Sequence, residues 1–255
     1  MVFLKGCPLR CRWCCNPESQ NRNIELMYRR VRCIGCKECG LCKSTAPEGC
    51  IGFDEEGKAK IDFARTGKDL SWTGICPSGA LKTEGRWMGI EEILEEVTAD
   101  EVFYRGKGGL TLSGGEPLFQ GNTLPLLAAA KAERLNTAIE TTGYAPAERL
   151  LSTAELLDQI YYDVKSLDEE KHVKYTGVSN KIILENLKTL KKEFPQKKIC
   201  VRTPVIPGFN DSPEELEQIE AFLKVIGITG WEKLPYHTYG VGKYEMLGRK
   251  YPLDH

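Results

Sequence analysis

Residues 5–20 read KGCPLRCRWCCNPESQ and hold four cysteines within nine positions. Three of them, Cys7, Cys11 and Cys14, have the spacing C-x3-C-x2-C and directly follow the apolar start MVFLKG, which predicts a first β-strand. Cys15 is next to Cys14 and is interpreted as a bystander. Thiolates are the ligands of iron–sulfur clusters, so three of them would leave one iron of a 4Fe–4S cluster open. An open position is typical of a reactive metal site.

The overall composition is that of an ordinary globular protein. The chain has 255 residues, a formal net charge of −1, 41% hydrophobic and 28% charged residues, which is enough for one large domain or one and a half smaller ones. A net charge near zero gives no electrostatic basis for binding nucleic acid or an acidic membrane. No apolar run approaches the roughly 18–20 residues that span a bilayer. We therefore expect a cytoplasmic protein that binds neither nucleic acid nor membranes.

The cysteines are concentrated in the first third of the chain. Ten of the eleven lie between Cys7 and Cys76, and only Cys200 lies beyond them. Because the cytosol keeps thiols reduced, these cysteines are expected to be metal ligands or catalytic groups and not disulfides. Three cysteines by themselves fit zinc about as well as a cluster, and the position of the first three directly after a strand favours the cluster.

From residue 89 onward, segments with strand and helix patterns alternate. The strand patterns are GLTLSG, TAIETTG, QIYYDVKS, KKICVRTPVI and WEKLPYH, and amphipathic helix patterns separate them. This alternation predicts βαβ units and a parallel sheet, hence an α/β fold. Residues 26–85 have weak periodicity and many cysteines, so we expect an inserted small domain there. Residues 1–25 and 86–255 would form the main domain.

The first cysteine stretch also resembles a known family. FLKGCPLRCRWCCNPES is similar to the signature of the radical S-adenosylmethionine (SAM) enzymes that activate glycyl radical enzymes, in which GCPLRCxWCxNPE is typical. The resemblance extends over residues 2–252. It implies a partial (β/α)6 TIM-like barrel with a small ferredoxin-like cysteine-rich insertion.

The resemblance also implies a reaction. A 4Fe–4S cluster on Cys7, Cys11 and Cys14 would bind the amino and carboxylate groups of SAM at its open iron. One electron would then cleave SAM to methionine and a 5′-deoxyadenosyl radical, which takes a hydrogen atom from a glycine Cα of a partner glycyl radical enzyme. No catalytic residue beyond the cluster and SAM is expected. The protein's task would be to bind, orient and exclude water.

Two motifs resemble SAM-binding elements of the family. The segment SGGEP has a glycine pair that lets the backbone approach a ligand and a carboxylate suited to an ammonium group; its residues are Ser113, Gly114, Gly115, Glu116 and Pro117. In YYDVKS, Asp163 and Lys165 lie on the same face of a strand because side chains alternate. The resemblance places Asp163 near the ribose and amino group of SAM, and Lys165 near its carboxylate. The alternatives are an ordinary turn and an ordinary salt bridge.

Three further strand ends complete the expected SAM site. Arg202, in VRTPVIPGFND, could bind the SAM carboxylate as a bidentate fork. His237, in LPYHTYG, matches a family element that lies against SAM, although a lone histidine is more often structural. Glu140 and Thr141, in IETTGY, match a SAM-adjacent polar pair and sometimes a monovalent cation site. All five segments end strands, and in a parallel barrel such ends form the site.

The insertion resembles half of a bacterial ferredoxin. Cys33, Cys36 and Cys39 form C-x2-C-x2-C, and Cys76 is followed by proline. In ferredoxins the cysteine before proline closes the remote cluster. We expect one auxiliary 4Fe–4S cluster on Cys33, Cys36, Cys39 and Cys76, with Cys42 or Cys50 as the alternative fourth ligand. A second, incomplete cluster or a structural zinc also stays open, since an insertion of this size needs a metal staple.

The resemblance further implies the partners. A glycyl radical enzyme would be the protein substrate, a flavodoxin or ferredoxin would donate electrons, and the protein would be a monomer. One alternative is a radical SAM enzyme that acts on a small molecule or a peptide. Another is a ferredoxin-type electron carrier, which has no use for SAM ligands at five strand ends.

Overall fold

The computed structural model describes residues 1–104, 106 and 108–253. The chain divides into two units. The barrel unit comprises residues 1–12 and 87–237, and the cysteine-rich unit comprises residues 13–86 and 238–255. Residues 13–25 and 238–255 thus belong to the cysteine-rich unit, whereas the sequence had placed both segments in the main domain.

Both units contain strands and helices, which are numbered here along the chain. The strands, in chain order, are β1 (Val2–Leu4), β2 (Glu25–Tyr28), β3 (Ile51–Phe53), β4 (Ala59–Ile61), β5 (Leu81–Glu84), β6 (Gly109–Gly114), β7 (Asn136–Thr141), β8 (Gln159–Asp163), β9 (Lys198–Val205) and β10 (Gly230–Pro235). The helices are α1 (Leu41–Thr45), α2 (Ile90–Thr98), α3 (Glu101–Tyr104), α4 (Thr123–Ala132), α5 (Ala147–Glu155), α6 (Glu169–Thr176), α7 (Lys181–Glu193), α8 (Pro213–Val225) and α9 (Val241–Met246). Strands β2–β5 and helices α1 and α9 belong to the cysteine-rich unit.

The barrel unit is built on one parallel sheet with the strand order β1-β6-β7-β8-β9-β10. Strands β1 and β10 lie at its two edges, so the described pairings do not close the sheet into a full barrel. Helices connect successive strands, as parallel pairing requires. The predicted α/β class and partial (β/α)6 barrel are confirmed.

The core of the barrel unit lies between the sheet and its helices. Leu112, Ile139, Ile160 and Val201 lie on four adjacent strands and are completely buried. Helix α7 contributes its apolar stripe to the same cluster. Each such side chain stabilises the fold by about 1.5–3 kcal/mol relative to its exposed state. This core fixes the carboxyl ends of the strands, where the predicted site residues lie.

Helix α6 begins and ends at polar caps. The Asp168 side chain accepts a hydrogen bond from the Lys171 amide at 2.9 Å, and Gly177 ends the helix in the left-handed conformation with φ of 83°. Its sequence EEKHVKYT has few apolar residues, so burial contributes little to its formation. Capping contributes about 1 kcal/mol at such an N-terminus.

The cysteine-rich unit contains two small antiparallel pairs, β2 with β5 and β3 with β4. Among the residues that the structure describes, one hydrophobic cluster of this unit comprises eight buried residues, including Cys50, Trp72 and Leu81. Lys243, on α9, donates to Asn16 Oδ1 at 2.9 Å, and the Arg249 guanidinium donates to the Pro17 carbonyl at 2.9 Å. These contacts tie the chain end to residues 13–25 and explain why both segments belong to this unit. In the part of the chain that the structure describes, no helix is long and apolar enough to cross a bilayer.

Candidate functional site

The cysteine loop of the barrel unit, residues 6–12, leaves β1 and is held on one side by the SGGEP turn. The Gly115 amide donates to the Leu4 carbonyl at 2.7 Å, and the Glu116 amide donates to the Gly6 carbonyl at 2.9 Å. Gly114 has φ of 105°, and a Cβ there would lie 2.4 Å from the Leu4 backbone nitrogen. Only glycine fits this close approach. The SGGEP motif therefore positions the start of the cysteine loop.

The other side of the cysteine loop is held by the last turn of α6. The amides on either side of Cys11 donate to carbonyls there: Arg10 to Thr176 at 2.7 Å, and Arg12 to Tyr175 at 3.0 Å. The Arg12 guanidinium also lies over the Tyr175 ring, 5.1 Å from its centroid. The backbone around Cys11 is thereby fixed by a helix that the sequence did not predict.

A buried histidine and threonine fix that last turn. Thr176 Oγ1 donates to the His172 carbonyl at 2.8 Å and lies 3.0 Å from His172 Nδ1, which is also 2.7 Å from the Val178 carbonyl. Both side chains are completely or almost completely buried. Burial lowers the pKa of His172, which favours the neutral ring. These two residues act on the cysteine loop only through the helix end.

The thiols of Cys7 and Cys11 are of the type that holds an iron–sulfur cluster. Burial raises the pKa of Cys7 to about 12 and also raises that of Cys11. Lys165 opposes both shifts, so its charge lies close to the two thiols. Thiols whose pKa is raised in this way stay protonated unless a metal replaces the proton, and cluster irons do this. The donor chemistry fits a cluster. Cys14, the third member of the sequence motif, belongs to the cysteine-rich unit.

Five of the predicted SAM residues form one chain of polar contacts across four adjacent strands. Ser113 donates to Glu140 Oε2 at 2.6 Å, and Arg202 Nη1 donates to Glu140 Oε1 at 2.7 Å. Arg202 also donates to Asp163 Oδ1 at 3.3 Å through two nitrogens, and Lys165 Nζ donates to Asp163 Oδ2 at 3.0 Å. The result is two carboxylates and two cations in alternation, at the carboxyl ends of the strands.

The ion network is partly shielded from water. Burial lowers the pKa of Lys165, but the charge of Asp163 and the hydrogen bond to it outweigh burial, so the pKa lies above its ordinary value. Burial also lowers the pKa of Arg202, but Asp163 and Glu140 outweigh burial and raise it above its ordinary value. Both side chains therefore stay cationic. A zwitterion such as the methionyl group of SAM could pair its carboxylate with these cations and its ammonium group with these carboxylates.

Glu116 is enclosed by protein donors. Its side chain is completely buried, and its oxygens accept from the Leu118 amide at 3.1 Å, the Thr141 hydroxyl at 2.5 Å, and the Thr142 amide and hydroxyl at 2.7 and 2.6 Å. Burial raises its pKa, and these donors oppose the shift. The carboxylate thus joins the β6 and β7 loops, and Thr141 is one of its donors. This geometry gives no support to the prediction that Glu116 binds an ammonium group directly.

Two further results concern residues outside the network. His237 lies two residues beyond β10 and is exposed. Asn210, which the sequence analysis did not identify, is completely buried. Its Nδ2 donates to the Lys165 and Pro204 carbonyls at 2.6 and 2.8 Å, and its Oδ1 accepts from the Ile206 amide. It therefore positions Lys165. In the sequence, Asn210 stands within the segment PGFND, which was the only local pattern that pointed to this position.

The cysteine-rich unit contains a cavity lined by four thiols, those of Cys33, Cys39, Cys42 and Cys76. Cys36, which the sequence predicted as a ligand, is not among the lining residues, whereas Cys42, the predicted alternative, is. The Cys36 amide donates to the Gly57 carbonyl at 2.7 Å, and its Sγ lies 3.2 Å from where a Cβ on Gly57 would be.

Two of the four thiols have a lowered pKa, which favours the thiolate form. Burial raises the pKa of Cys33, but hydrogen bonds from backbone amides outweigh it, including the Ala59 amide at 3.4 Å from Sγ, so the pKa is lowered. The pKa of Cys76 is lowered in the same way by the amides of Leu81 and Ala80 and by Ser78. Among the described residues, no three His, Cys, Asp or Glu side chains are arranged to hold a single metal ion.

Comparisons with known proteins show which family this chain resembles. The radical SAM superfamily profile matches residues 74–223. The isethionate sulfite-lyase activating enzyme of Nitratidesulfovibrio vulgaris is 43% identical, covering 99% of this chain and 83% of the relative. The (2S)-3-sulfopropanediol sulfolyase activating enzyme of Bilophila wadsworthia is 41% identical, covering 100% and 84%. The choline trimethylamine-lyase activating enzyme of Oleidesulfovibrio alaskensis is 38% identical, covering 100% and 83%.

The fold, the site and these similarities define the class of protein. The chain belongs to the radical SAM superfamily and, within it, to the glycyl radical enzyme activating enzymes. It is therefore an enzyme whose family uses a 4Fe–4S cluster and SAM.

Proposed function

We propose that this protein binds a 4Fe–4S cluster through Cys7, Cys11 and Cys14 and binds SAM against the Glu140–Arg202–Asp163–Lys165 network. When reduced, such a cluster would supply the electron that cleaves SAM to methionine and a 5′-deoxyadenosyl radical, and the radical would take a hydrogen atom from a glycine Cα of a partner glycyl radical enzyme. The observation that carries the proposal is the alternating network of two carboxylates and two cations beside the Cys7 and Cys11 thiols.

The residues of the network have separable roles in this proposal. Arg202 and Lys165 would pair with the SAM carboxylate, and Asp163 and Glu140 with its ammonium and ribose groups. The backbone at Gly114 and Gly115 would approach the methionyl part, while Glu116 holds that turn in place. His237 would contact the adenosyl part from the end of β10. None of these residues needs to transfer a proton.

The partner is proposed to be a lyase of the glycyl radical class. Of the three relatives above, the two with higher identity are named for a sulfite-lyase and a sulfolyase. A lyase of that kind is the first partner to test. A flavodoxin or ferredoxin is proposed as electron donor, the protein as a monomer, and the cytoplasm as its compartment, where its eleven free cysteines would stay reduced.

An auxiliary 4Fe–4S cluster is proposed in the cysteine-rich unit, with Cys33, Cys39, Cys42 and Cys76 as ligands. The support is the shared cavity and the backbone amides directed at Cys33. Tyr28 lines the same cavity with a buried hydroxyl that faces the Cys33 thiol, and cluster sulfur is an acceptor for such a donor.

The proposal is tested with purified, anaerobically reconstituted protein, a chemical reductant, SAM and a purified sulfite-releasing glycyl radical lyase. Electron paramagnetic resonance should detect a glycyl radical in the lyase that depends on SAM. A Cys11→Ala variant should produce none, and a Cys200→Ala variant, which changes a cysteine outside both sites, should match the wild type. A radical of full intensity with Cys11→Ala would overturn the ligand assignment.

A further inference from the structure

One surface of the barrel unit combines three cations around the cysteine loop. Arg10 and Arg12 flank Cys11 in the sequence, and Lys174 lies on α6. Arg12 and Lys174 approach the same aromatic ring, since the Arg12 guanidinium carbon lies 5.1 Å and Lys174 Nζ 5.7 Å from the centroid of Tyr175. Arg10 and Lys174 are exposed, and Arg12 is half-buried. The three residues define a cationic patch beside Cys11.

The charges of this patch are not balanced by carboxylates within its own unit. Lysines elsewhere on the neighbouring helices are paired: Lys171 with Glu215, and Lys181 with Glu169, each at 2.8 Å. Among the described residues of the barrel unit, no carboxylate lies within ion-pair distance of the three patch cations. Arg10 donates instead to the carbonyls of Cys7 and Leu9. Uncompensated charge around a functional loop steers partners of opposite charge.

The proposed reaction requires one electron from outside the chain for each SAM molecule that is cleaved. The electron must enter close to the thiols of the cysteine loop, and Cys11 itself is only partly exposed. A redox protein that docks over this loop would therefore give the electron the shortest path to the thiols. Electrostatic complementarity in such encounters raises the association rate more than the final affinity.

We propose that Arg10, Arg12 and Lys174 form the docking surface for an acidic one-electron carrier protein of the flavodoxin type. This inference rests on the proposed function. The carrier's flavin hydroquinone gives one electron to the oxidised cluster and becomes a semiquinone, so that electrons balance. Val173, 44% exposed on the same helix, supplies an apolar contact within the charged surface.

The test compares two sources of electrons in the reconstituted holoenzyme. The variant Lys174→Glu reverses one patch charge without altering the cysteine loop or the ion network. Lys192→Glu is the matched control, because Lys192 is exposed in the last turn of α7, which leads to the amino end of β9, whereas the ion network lies at the carboxyl ends of the strands. The 5′-deoxyadenosine produced with dithionite is compared with that produced by a purified bacterial flavodoxin kept reduced by NADPH and its reductase.

With flavodoxin, we expect Lys174→Glu to lower the initial rate by about three- to tenfold at low salt, and Lys192→Glu to leave it unchanged. Raising the salt concentration should slow the reaction of the wild type with flavodoxin, so that the rates of the wild type and of Lys174→Glu become similar. With dithionite, both variants should match the wild type. Equal rates with flavodoxin, or an equal loss with both reductants, would overturn the inference. The dithionite reaction of the unchanged protein reports on the proposed function alone, so the two can fail separately.

Discussion

Arg202 Nη1 lies 2.7 Å from Oε1 of Glu140, and the same guanidinium reaches Asp163 at 3.3 Å. One planar group thus bridges carboxylates on β7 and β8 from its position on β9. The bridge depends on the fork geometry of arginine, which a lysine cannot reproduce. Since Asp163 in turn binds Lys165, the position of the lysine beside the thiols depends on this bridge.

Replacing Arg202 with lysine is expected to weaken SAM binding by about tenfold or more, because one ammonium cannot satisfy both carboxylates. Equilibrium binding of SAM to the reconstituted protein measures the effect. Arg65→Lys, an exposed ion pair with Asp62 in the cysteine-rich unit, is the matched control and should bind normally. Unchanged affinity in Arg202→Lys would show that the network is structural.

Replacing Glu116 with glutamine is expected to lower the free energy of unfolding by about 2 kcal/mol, because an amide NH2 would face the Thr142 donors in a buried site. A change of this size lowers the melting temperature by roughly 4–8 °C in a protein of this length. Thermal unfolding measured without oxygen gives the comparison. Glu148→Gln, at an exposed position in α5, should melt as the wild type does. Equal melting of both variants would contradict the enclosed carboxylate.

Replacing Thr176 with valine is expected to loosen the backbone around Cys11, because the hydroxyl that fixes the last turn of α6 is lost. Hydrogen exchange at the Arg10 and Arg12 amides should accelerate by about tenfold, which corresponds to roughly 1.4 kcal/mol, within the range of one hydrogen bond. The exchange rates of these two amides are measured in the cluster-free protein.

The chain provides two controls for Thr176→Val. Thr176→Ser retains the hydroxyl and should restore slow exchange. Thr153→Val removes a buried threonine hydroxyl that also donates to the carbonyl four residues earlier, but on α5. If Thr153→Val accelerated the Arg10 and Arg12 amides equally, the effect would be general instability and not positioning.

Replacing Cys42 with serine is expected to remove about four irons per chain from the reconstituted protein, and replacing Cys36 with serine to remove none. The reason is that Cys42 lines the thiol cavity and Cys36 does not. Iron and sulfide analysis measures both. The opposite result would restore Cys36, the residue that the sequence predicted.

The six strands of the barrel unit could be predicted from sequence because short strand patterns alternate with helix patterns, and glycine or proline marks the ends of some of them, such as β6 and β10. The N-cap of α8 was also predictable: Ser212 accepts from the Glu215 amide at 3.2 Å, and Pro213 follows. Helix α6 was missed because its residues are mostly polar and its stability comes from caps and from contacts with a distant loop.

The site could be predicted as a set of residues but not as a set of contacts. The alternation in YYDVKS placed Asp163 and Lys165 on one face, and the structure pairs them. No local pattern shows that Glu116 faces threonines on the next loop, since these contacts join residues about 25 positions apart. The sequence likewise could not show that Cys42 and not Cys36 lines the cavity, because the position of Cys36 depends on the backbone at Gly57, which is distant in the sequence.

SAM cleavage by the anaerobically reconstituted protein, with dithionite as reductant, tests whether Cys7, Cys11 and Cys14 form a reactive site. We expect 5′-deoxyadenosine from the wild type and from Cys36→Ser, and none from Cys11→Ala. If the wild type carries its clusters and still forms no 5′-deoxyadenosine, the claim that Cys7, Cys11 and Cys14 form a SAM-cleaving site is contradicted.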